Sequence, residues 1–293
     1  MSSARPGPIV VGFSGTPGSR QAIRWACREA SARRRELHVV RAFSIPLEEL
    51  TRIHLPAESV DFGPLRADVE HEVDGVVAEC AREWPELTVT GETRLGHPAM
   101  VLREAAEKGD LLVLGSAQHG RLHHALLGST SDELLRGSAV PVAFVRGTER
   151  EERRRVVVGV DGSRISARAV GFAFDHAARH GAELLAALAW DELPRDAIAP
   201  AGGWRLDWTD VTRSCERQLA ESIAGWQEQY PDVPVRHEVT TTELPAELLL
   251  RHAREADLVV VGRHGRFLVH AAMVGSTGRA VAHQAPCPVV VVP

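Results

Sequence analysis

Lysine is almost absent from this chain of 293 residues: Lys108 is the only one, and arginine carries nearly all of the positive charge. A Walker-A phosphate loop needs the sequence Gly-Lys-Ser/Thr and is therefore excluded. The formal net charge of −5 also leaves no overall basic field of the kind that attracts nucleic acid. The sequence predicts no nucleic-acid partner.

Long apolar runs and a signal sequence are missing as well. No run approaches the ~18–20 apolar residues that span a bilayer. The N-terminal sequence MSSARPGP has no apolar core of the kind found in signal peptides. These absences predict a cytoplasmic protein without a membrane partner.

Cysteine is scarce, and its spacing excludes a zinc site. The cysteines lie far apart in stretches that predict helices or strands, and no pair has the spacing of zinc ligands. We expect all of them to be reduced core residues. They are Cys27, Cys80, Cys215 and Cys287.

The composition that remains is that of a globular α/β protein. Hydrophobic residues make up 44% of the chain and charged residues 25%, and the length suffices for two domains. Short, continuous apolar runs alternate with amphipathic stretches of helical period. This alternation predicts doubly wound parallel sheets, covered by helices on both faces.

The sequence repeats itself at an offset of 147 residues, so that Gly12 corresponds to Gly159 and Gly115 to Gly262. Such a period is too long for a solenoid unit and indicates a duplicated domain. We therefore predict one domain over residues 1–146 and a second over 154–293. The charged run from Arg146 to Arg155 between them is interpreted as a solvated linker.

The stretch from Asp257 to Thr277 has the parts of a phosphate cradle. A buried strand, Leu258 to Val261, ends at Gly262, and Gly265 and Gly275-Ser276-Thr277 follow before a predicted helix. Glycines allow backbone N–H groups to approach an anion without a Cβ in the way. The hydroxyls and free first-turn N–H groups at the helix start can face the same phosphate.

Three segments together resemble the universal stress protein family. They are Val-Gly-Val-Asp-Gly-Ser at 158–163, the spacing Gly262-x2-Gly265-x9-Gly275-Ser276, and Ala-Pro-Cys-Pro-Val-Val-Val-Val at 285–292. The resemblance covers essentially the whole chain. It implies two tandem five-stranded, Rossmann-like parallel sheets of order 3-2-1-4-5 that pair through their last strands. It also implies ATP binding, with or without Mg²⁺, where the glycine motif is complete.

The resemblance places the nucleotide in the second domain, where the motif is complete. An aspartate after the first strand and the end of the second strand would contact the nucleoside, and the glycine loop would hold ribose and phosphates. The residues predicted for this site are Val160, Asp161, Gly162, Ser163, Ala189, Gly262, Arg263, Gly265, Gly275, Ser276 and Thr277.

The first domain departs from the motif at two positions. Ser14 stands in place of the aspartate, and Gln118 in place of the second glycine, where its side chain obstructs backbone approach. We expect a weaker, different or empty site there. Its candidate residues are Ser14, Gly15, Thr16, Gly115, Gly128, Ser129 and Thr130.

Several of these residues also have simpler structural interpretations. The glycines after the strand are common in turns, Asp161 can form an Asx turn, and Thr16 and Ser163 are as readily helix caps as ligand contacts. Arginine after the strand is more often a surface residue than a phosphate ligand. Three further groups of residues are candidates. Arg263 and Arg266 lie near the loop, and His119, His123 and His124 are loosely spaced candidate metal ligands. Trp204 and Trp208 are candidates for a lid or for a packed cluster.

Three functions remain open at this level. The first is a regulatory stress-response protein that binds ATP and changes its shape or partner surface on binding. The second is a slow ATPase or phosphotransferase, which is disfavoured because His264 and His270 are the only acid–base candidates between Gly262 and Thr277. The third is a nucleotide-free interaction scaffold. Exposed helical faces permit a homodimer in each case, and the sequence does not identify the protein partner.

Overall fold

A computed structural model describes residues 7–44, 63–116, 127–146, 153–190, 207–265 and 274–293. The chain divides into two compact units, and the main boundary lies between Val145 and Arg146. Each unit is an α/β fold with a five-stranded parallel sheet. The described helices include none long and apolar enough to cross a membrane.

The first unit alternates strands and helices along the chain. Its strands are β1 (Ile9–Gly12), β2 (Leu37–Phe43), β3 (Val89–Leu95), β4 (Leu111–Gly115) and β5 (Val142–Val145). Its described helices are α1 (Pro17–Arg33), α2 (Gly63–Glu83), α3 (Pro98–Ala106) and α4 (Ser129–Gly137).

The second unit repeats this series. Its strands are β6 (Arg155–Gly159), β7 (Glu183–Ala189), β8 (Val235–Thr240), β9 (Leu258–Gly262) and β10 (Val289–Val292). Its described helices are α5 (Arg164–His180), α6 (Trp208–Gln229), α7 (Pro245–Ala253) and α8 (Ser276–Gln284).

The strand order within each unit confirms the predicted order 3-2-1-4-5. In the first unit the order is β3-β2-β1-β4-β5, and in the second it is β8-β7-β6-β9-β10. The order reverses between the first and fourth strands of each unit, where Ile9 pairs with Leu111 and Val156 with Leu258. A ligand crevice is expected outside the carboxyl ends of the strands at this reversal. The pairing of the two last strands across the units stays a prediction.

Continuous apolar sequence explains why the central strands occupy the core. Val156, Val157 and Val158 of β6 and the four valines of β10 are at most 4% exposed. Strands covered on both faces lose the polar alternation of half-exposed strands, because both sets of side chains meet helices. The edge strands β3 and β8 keep polar and partly exposed residues.

The structure decides between the two interpretations of Thr16: it caps α1, its Oγ1 accepting a hydrogen bond from Ser19 N at 3.3 Å, and Pro17 occupies the first helical turn. The prediction of a solvated linker is wrong at the two ends of that run. Arg146 is 6% exposed, and Arg155 already belongs to β6, where its guanidinium pairs with Glu183 and Glu255.

Candidate functional site

A cavity lies at the carboxyl ends of strands β6, β7 and β9 in the second unit, between these strand ends, α7 and the start of α8. This is the place where the strand order reverses. The lining residues are Gly159, Val160, Asp161, Ser166, Ala187, Ala189, Pro245, Leu248, Leu249, Val261, Gly262, His264, Gly265, Gly275, Ser276, Thr277 and Gly278.

Asp161 follows β6 and is held in a network of hydrogen bonds. Its Oδ1 accepts a hydrogen bond from Ser163 N at 2.8 Å, and its own N donates to Ser166 Oγ at 3.1 Å. Its carbonyl oxygen accepts from Gln218 Nε2 of α6 at 2.7 Å. The first contact forms an Asx turn, so Asp161 both shapes the turn into α5 and presents a carboxylate to the cavity.

The glycines of the loop are in close contact with their surroundings. A Cβ added to Gly265 would lie 3.2 Å from Asp161 Oδ2, and one added to Gly262 would lie 2.9 Å from Ile165 Cγ2. Contacts below about 3.4 Å require the neighbouring atoms to move, since interiors are close-packed. A side chain at Gly262 would force Ile165 of α5 to move, and one at Gly265 would press on the Asp161 carboxylate, so the missing side chains favour this close approach of the loop.

Helix α8 begins inside the cavity. Gly275 occupies its N-cap position with φ −60° and ψ 149° and supplies no side-chain cap. Gly275 N itself donates to Arg263 O at 2.8 Å, whereas the N–H groups of Ser276, Thr277 and Gly278 lack acceptors within the helix. These amides and the positive end of the helix dipole form an environment suited to an anion.

The opposite wall is apolar. Ala187 and Ala189 at the end of β7, with Leu248 and Leu249 on α7, form a surface without charge. Such a wall suits a flat aromatic group, while the α8 amides suit a negatively charged one. The two chemistries meet in one cavity.

Eight of the eleven residues predicted for the second domain line this cavity. The other three lie beside it. Gly162 has φ +78° and packs against the Gln218 amide, and Ser163 caps α5 by accepting a hydrogen bond from Ser166 N at 3.1 Å. Arg263 is half-buried; its Nε donates to His264 Nε2 at 3.2 Å, and burial lowers its guanidinium pKa.

The backbone of Arg263 has a clear structural role. Its N–H donates to Val292 O at 2.7 Å, and its carbonyl accepts from Gly275 N at 2.8 Å. The residue thus connects the end of β9 to both β10 and the start of α8. Its side chain is half-buried, whereas its residue type favoured a fully exposed position.

Nine lining residues were not predicted as ligand contacts. Some have a signal in the sequence: at the offset of 147 residues Pro245 corresponds to Pro98 and Leu249 to Leu102, and Gly278 directly follows Thr277. Others depend on packing. Successive side chains of β7 point to opposite faces of the sheet, and only the fold decides which alanines face the cavity. They are Gly159, Ser166, Ala187, Pro245, Leu248, Leu249, Val261, His264 and Gly278.

In the first unit, the candidate residues occupy the corresponding places with different contacts. Ser14 Oγ and Thr16 Oγ1 share a hydrogen bond of 3.0 Å. Gly128 is the N-cap residue of α4, which begins at Ser129 and Thr130. A Cβ on Gly115 would lie 2.3 Å from Gly18 O, so the strand end packs directly on the backbone of α1.

Charged side chains lie beside the first unit's Gly15. Its φ is +74°, and a Cβ there would lie 3.3 Å from Arg41 Nη1 and 3.4 Å from Glu72 Oε2. Arg41 and Glu72 form an ion pair, and the Arg41 guanidinium also lies 5.3 Å from the Phe13 ring centroid. The second unit has the neutral Gln218 amide beside the matching Gly162. The two strand-end regions therefore differ in charge and shape.

Some of the predicted positions lie outside the described residues. These are Gln118, His119, His123, His124, Trp204, Arg266 and His270. Of the two tryptophans considered as a lid, Trp208 is the first residue of α6, and its carbonyl accepts a hydrogen bond from Thr212 Oγ1 at 2.9 Å.

Comparison with known proteins gives consistent results. The sequence matches the universal stress protein family twice, over residues 7–146 and 152–293. A universal stress protein of Mycolicibacterium smegmatis is 36% identical, the match covering 100% of this chain and 99% of that protein. One of Mycobacterium tuberculosis is 34% identical over 97% and 96% of the two chains. The crystal structure of a universal stress protein from Archaeoglobus fulgidus has the same fold, with a TM-score of 0.72, 18% identity and 98% coverage of both chains.

Proposed function

The chain belongs to the universal stress protein family, and from this premise we propose that its second unit binds an adenine nucleotide, ATP, in the cavity beside Asp161. Family membership supports a role in the response to stress. Nucleotide occupancy would then bias the shape or the partner surface of the molecule. The partner would be another protein or a second copy of this chain.

The observation that carries the proposal is the shared cavity of Asp161, the apolar end of β7 and the first turn of α8. An adenine ring needs an apolar wall, a ribose needs a hydrogen-bond acceptor, and phosphates need N–H donors. These three requirements correspond to Ala187 and Ala189, to the Asp161 carboxylate, and to the amides of α8.

The α8 amides would neutralise phosphate charge without a lysine. The hydroxyls of Ser276 and Thr277 stand at the same helix start and could contact phosphate oxygens directly or through a hydrated Mg²⁺, which usually keeps several of its waters. The described lining contains no cationic lysine or arginine side chain. We therefore expect the affinity to depend chiefly on backbone geometry.

Efficient hydrolysis is not expected. Asp161 and His264 are the titratable side chains among the described lining residues, and Asp161 Oδ1 already accepts the Ser163 amide. Phosphoryl transfer needs a positioned nucleophile and strong charge stabilisation. Steady ADP release that disappears in a Gly275→Val variant would instead establish the ATPase as the function.

The first unit is proposed to bind ATP much more weakly or not at all. Ser14 lacks the carboxylate of Asp161, and the Arg41–Glu72 ion pair stands beside Gly15. A charged pair must lose part of its hydration when a ring is placed against it, which costs free energy. One nucleotide per chain is the expected stoichiometry.

Isothermal titration calorimetry of the full chain tests these statements together. We expect about one site per chain for ATP and weaker binding of GTP. We also expect the affinities for ATP, ADP and AMP to differ measurably. Each titration is run with and without Mg²⁺. Two equal sites would contradict the asymmetry between the units. The absence of heat and of any thermal shift with all of these nucleotides would favour the nucleotide-free scaffold.

A further inference from the structure

Two buried thiols face each other between helices α1 and α2 of the first unit. Cys27 on α1 is 0% exposed and Cys80 on α2 is 2% exposed, and their sulfur atoms are 3.6 Å apart. The residues are separated by 53 positions in the sequence. All four cysteines of the chain lie in described residues, and all are thiols. The fold thus brings two distant thiols within hydrogen-bonding distance.

The contact makes the two sulfurs chemically unequal. The Cys27 S–H donates to Cys80 Sγ, and this hydrogen bond lowers the pKa of the Cys80 thiol against the opposing effects of burial and of Glu79 and Glu83. The same hydrogen bond, with burial, raises the pKa of Cys27. The thiolate is the reactive form of cysteine, and of the two residues Cys80 is the one that lines a cavity, so we assign Cys80 as the nucleophile of the pair.

A small cavity lies beside Cys80 at the contact between α1 and α2. It has a volume of about 30 Å³ and is lined by Cys80 together with Arg20, Glu79 and Trp84. Arg20 and Glu79 are half exposed and form an ion pair of 3.4 Å at its side. One water needs roughly 10–15 Å³ of such space, so a molecule of the size of hydrogen peroxide fits.

The corresponding helices of the second unit have no pair of thiols between them: Cys215 is the only cysteine on α5 and α6, and Phe174 occupies the place of Cys27 at the offset of 147 residues. There Phe174 of α5 faces Tyr230, the residue that caps the end of α6, with ring centroids 6.0 Å apart, and Gly171 of α5 packs against the Trp226 ring of α6. The duplicated fold therefore accepts large apolar side chains at this helix contact. The first unit differs from the second in placing two sulfur atoms in contact at this position.

We propose that Cys27 and Cys80 are a peroxide-reactive dithiol that closes to a disulfide across helices α1 and α2. In the first step the Cys80 thiolate attacks one peroxide oxygen, the O–O bond breaks, and Cys80 sulfenic acid and hydroxide are formed. In the second step Cys27 sulfur attacks Cys80 sulfur and displaces hydroxide, and the Cys27 proton leaves with it as water. Overall, two thiols and one peroxide give one disulfide and two waters.

The geometry requires only a local movement. A disulfide has an S–S distance of about 2.05 Å, so the sulfurs must approach by roughly 1.5 Å from their present 3.6 Å. Closure would link α1 to α2 and restrict the unfolded chain over the residues between them. Oxidised protein should therefore unfold at a higher temperature than reduced protein.

The direct test uses the full-length, nucleotide-free, reduced protein treated with hydrogen peroxide. Expected results are the loss of two thiols per chain, an intact mass lower by two hydrogens, and a Cys27–Cys80 cross-linked peptide in a non-reducing digest. Dithiothreitol should reverse all three. This measurement needs no variant and no nucleotide, so its outcome is independent of ATP binding.

Variants separate the roles of the two sulfurs. Cys27→Ser should stop at a Cys80 sulfenic acid that dimedone traps, whereas Cys80→Ser should lose the rapid reaction. Cys215→Ser is the matched control, because Cys215 is also buried and on a helix, and it should oxidise like the parent protein. Cys80 should react at least about tenfold faster than Cys215 or Cys287. Equal rates at all four cysteines, or peroxide treatment that yields no Cys27–Cys80 peptide, would overturn the proposal.

Discussion

Gly265 lies directly against the carboxylate of Asp161: a Cβ at Gly265 would be 3.2 Å from Asp161 Oδ2. The loop after β9 and the turn after β6 thus meet so closely that a side chain at Gly265 would press on the Asp161 carboxylate. Asp161 cannot easily withdraw, because its Oδ1 accepts the Ser163 amide and its carbonyl accepts the Gln218 side chain. Substitution at Gly265 is therefore the sharpest probe of the cavity.

Gly265→Gln should weaken ATP binding by at least about tenfold, because the new side chain must displace either the aspartate or the loop. The substitution gives the second unit the residue found at Gln118 in the first. Calorimetry against the parent protein measures the effect.

The matched control is Gly225→Gln on α6. Gly225 is exposed, and a Cβ there meets no atom within 4 Å. Because glutamine favours helix over glycine, this variant should keep its ATP affinity and be at least as stable as the parent. Equal affinities of the two variants would remove Gly265 from the binding site.

Two substitutions of Asp161 should distinguish its contribution to ATP affinity from its contribution to stability. Asp161→Asn keeps an oxygen that can accept the Ser163 amide, so its stability should change by less than about 0.5 kcal/mol while ATP affinity falls. Asp161→Ala loses that acceptor as well and should be less stable by about 1 kcal/mol. Thermal melts and calorimetry of both variants test this. An Asn variant with the affinity of the parent protein would show that the carboxylate makes no contact with nucleotide.

Arg146 should stabilise the second unit through the end of α8. Its Nη1 donates to His283 O at 2.6 Å and its Nη2 to Ala282 O, so a cation satisfies carbonyl groups at the C-terminus of the helix. Arg146→Met keeps most of the apolar contact but leaves these buried carbonyls without their donor. We expect a loss of about 1–3 kcal/mol in the free energy of unfolding.

Urea denaturation of Arg146→Met and Arg146→Lys tests this assignment. Lysine keeps the charge but lacks the planar pair of donors, so its loss should be intermediate. A methionine variant as stable as the parent would mean that water or other groups replace the arginine.

His283 should make the protein less stable in mild acid. Burial, followed by the charges of Arg279 and Arg146, lowers the pKa of this histidine below its usual value of 6.5. As the pH falls through 6.5, the unfolded chain binds a proton at this residue before the folded chain does, and the unfolded state is favoured. The stability that neutral His283 provides is present above this window and is lost within it.

His283→Gln should therefore show a smaller fall in melting temperature between about pH 8 and pH 5.5 than the parent protein. At the higher pH the histidine is neutral in both states, so the difference between the two proteins there provides the baseline. A difference in melting temperature that is the same at both pH values would contradict the assignment.

Much of the fold could be predicted because the central strands consist of continuous apolar runs. The buried strand predicted from Leu258 to Val261 is β9 (Leu258–Gly262), and both units have the predicted strand order. The offset of 147 residues is reproduced by helices α3 and α7, which begin at Pro98 and Pro245. The sequence left open whether Thr16 is a helix cap or a ligand contact, because the answer depends on where its hydroxyl can reach a free amide; the structure shows that it caps α1.

The candidate site could be predicted only in part. Glycines and an aspartate at motif spacing pointed to the ends of β6 and β9, but the apolar wall of Leu248 and Leu249 follows from how α7 packs, which spacing does not specify. The burial of Arg146 could not be predicted either. A charged run indicates a solvated segment, and only the fold shows that the carbonyl groups at the end of α8 lie beside this arginine and accept its hydrogen bonds.

By itself, the sequence determined the duplication, the parallel sheets and the family, because the apolar period and the glycine spacing are patterns among residues that are close together along the chain. Only the tertiary structure decided which side chains share a cavity, that Gly265 lies against the Asp161 carboxylate, and that Cys27 and Cys80 meet. Those contacts join residues that are many positions apart in the sequence. They depend on how the helices pack on the sheet, which a local sequence pattern does not specify.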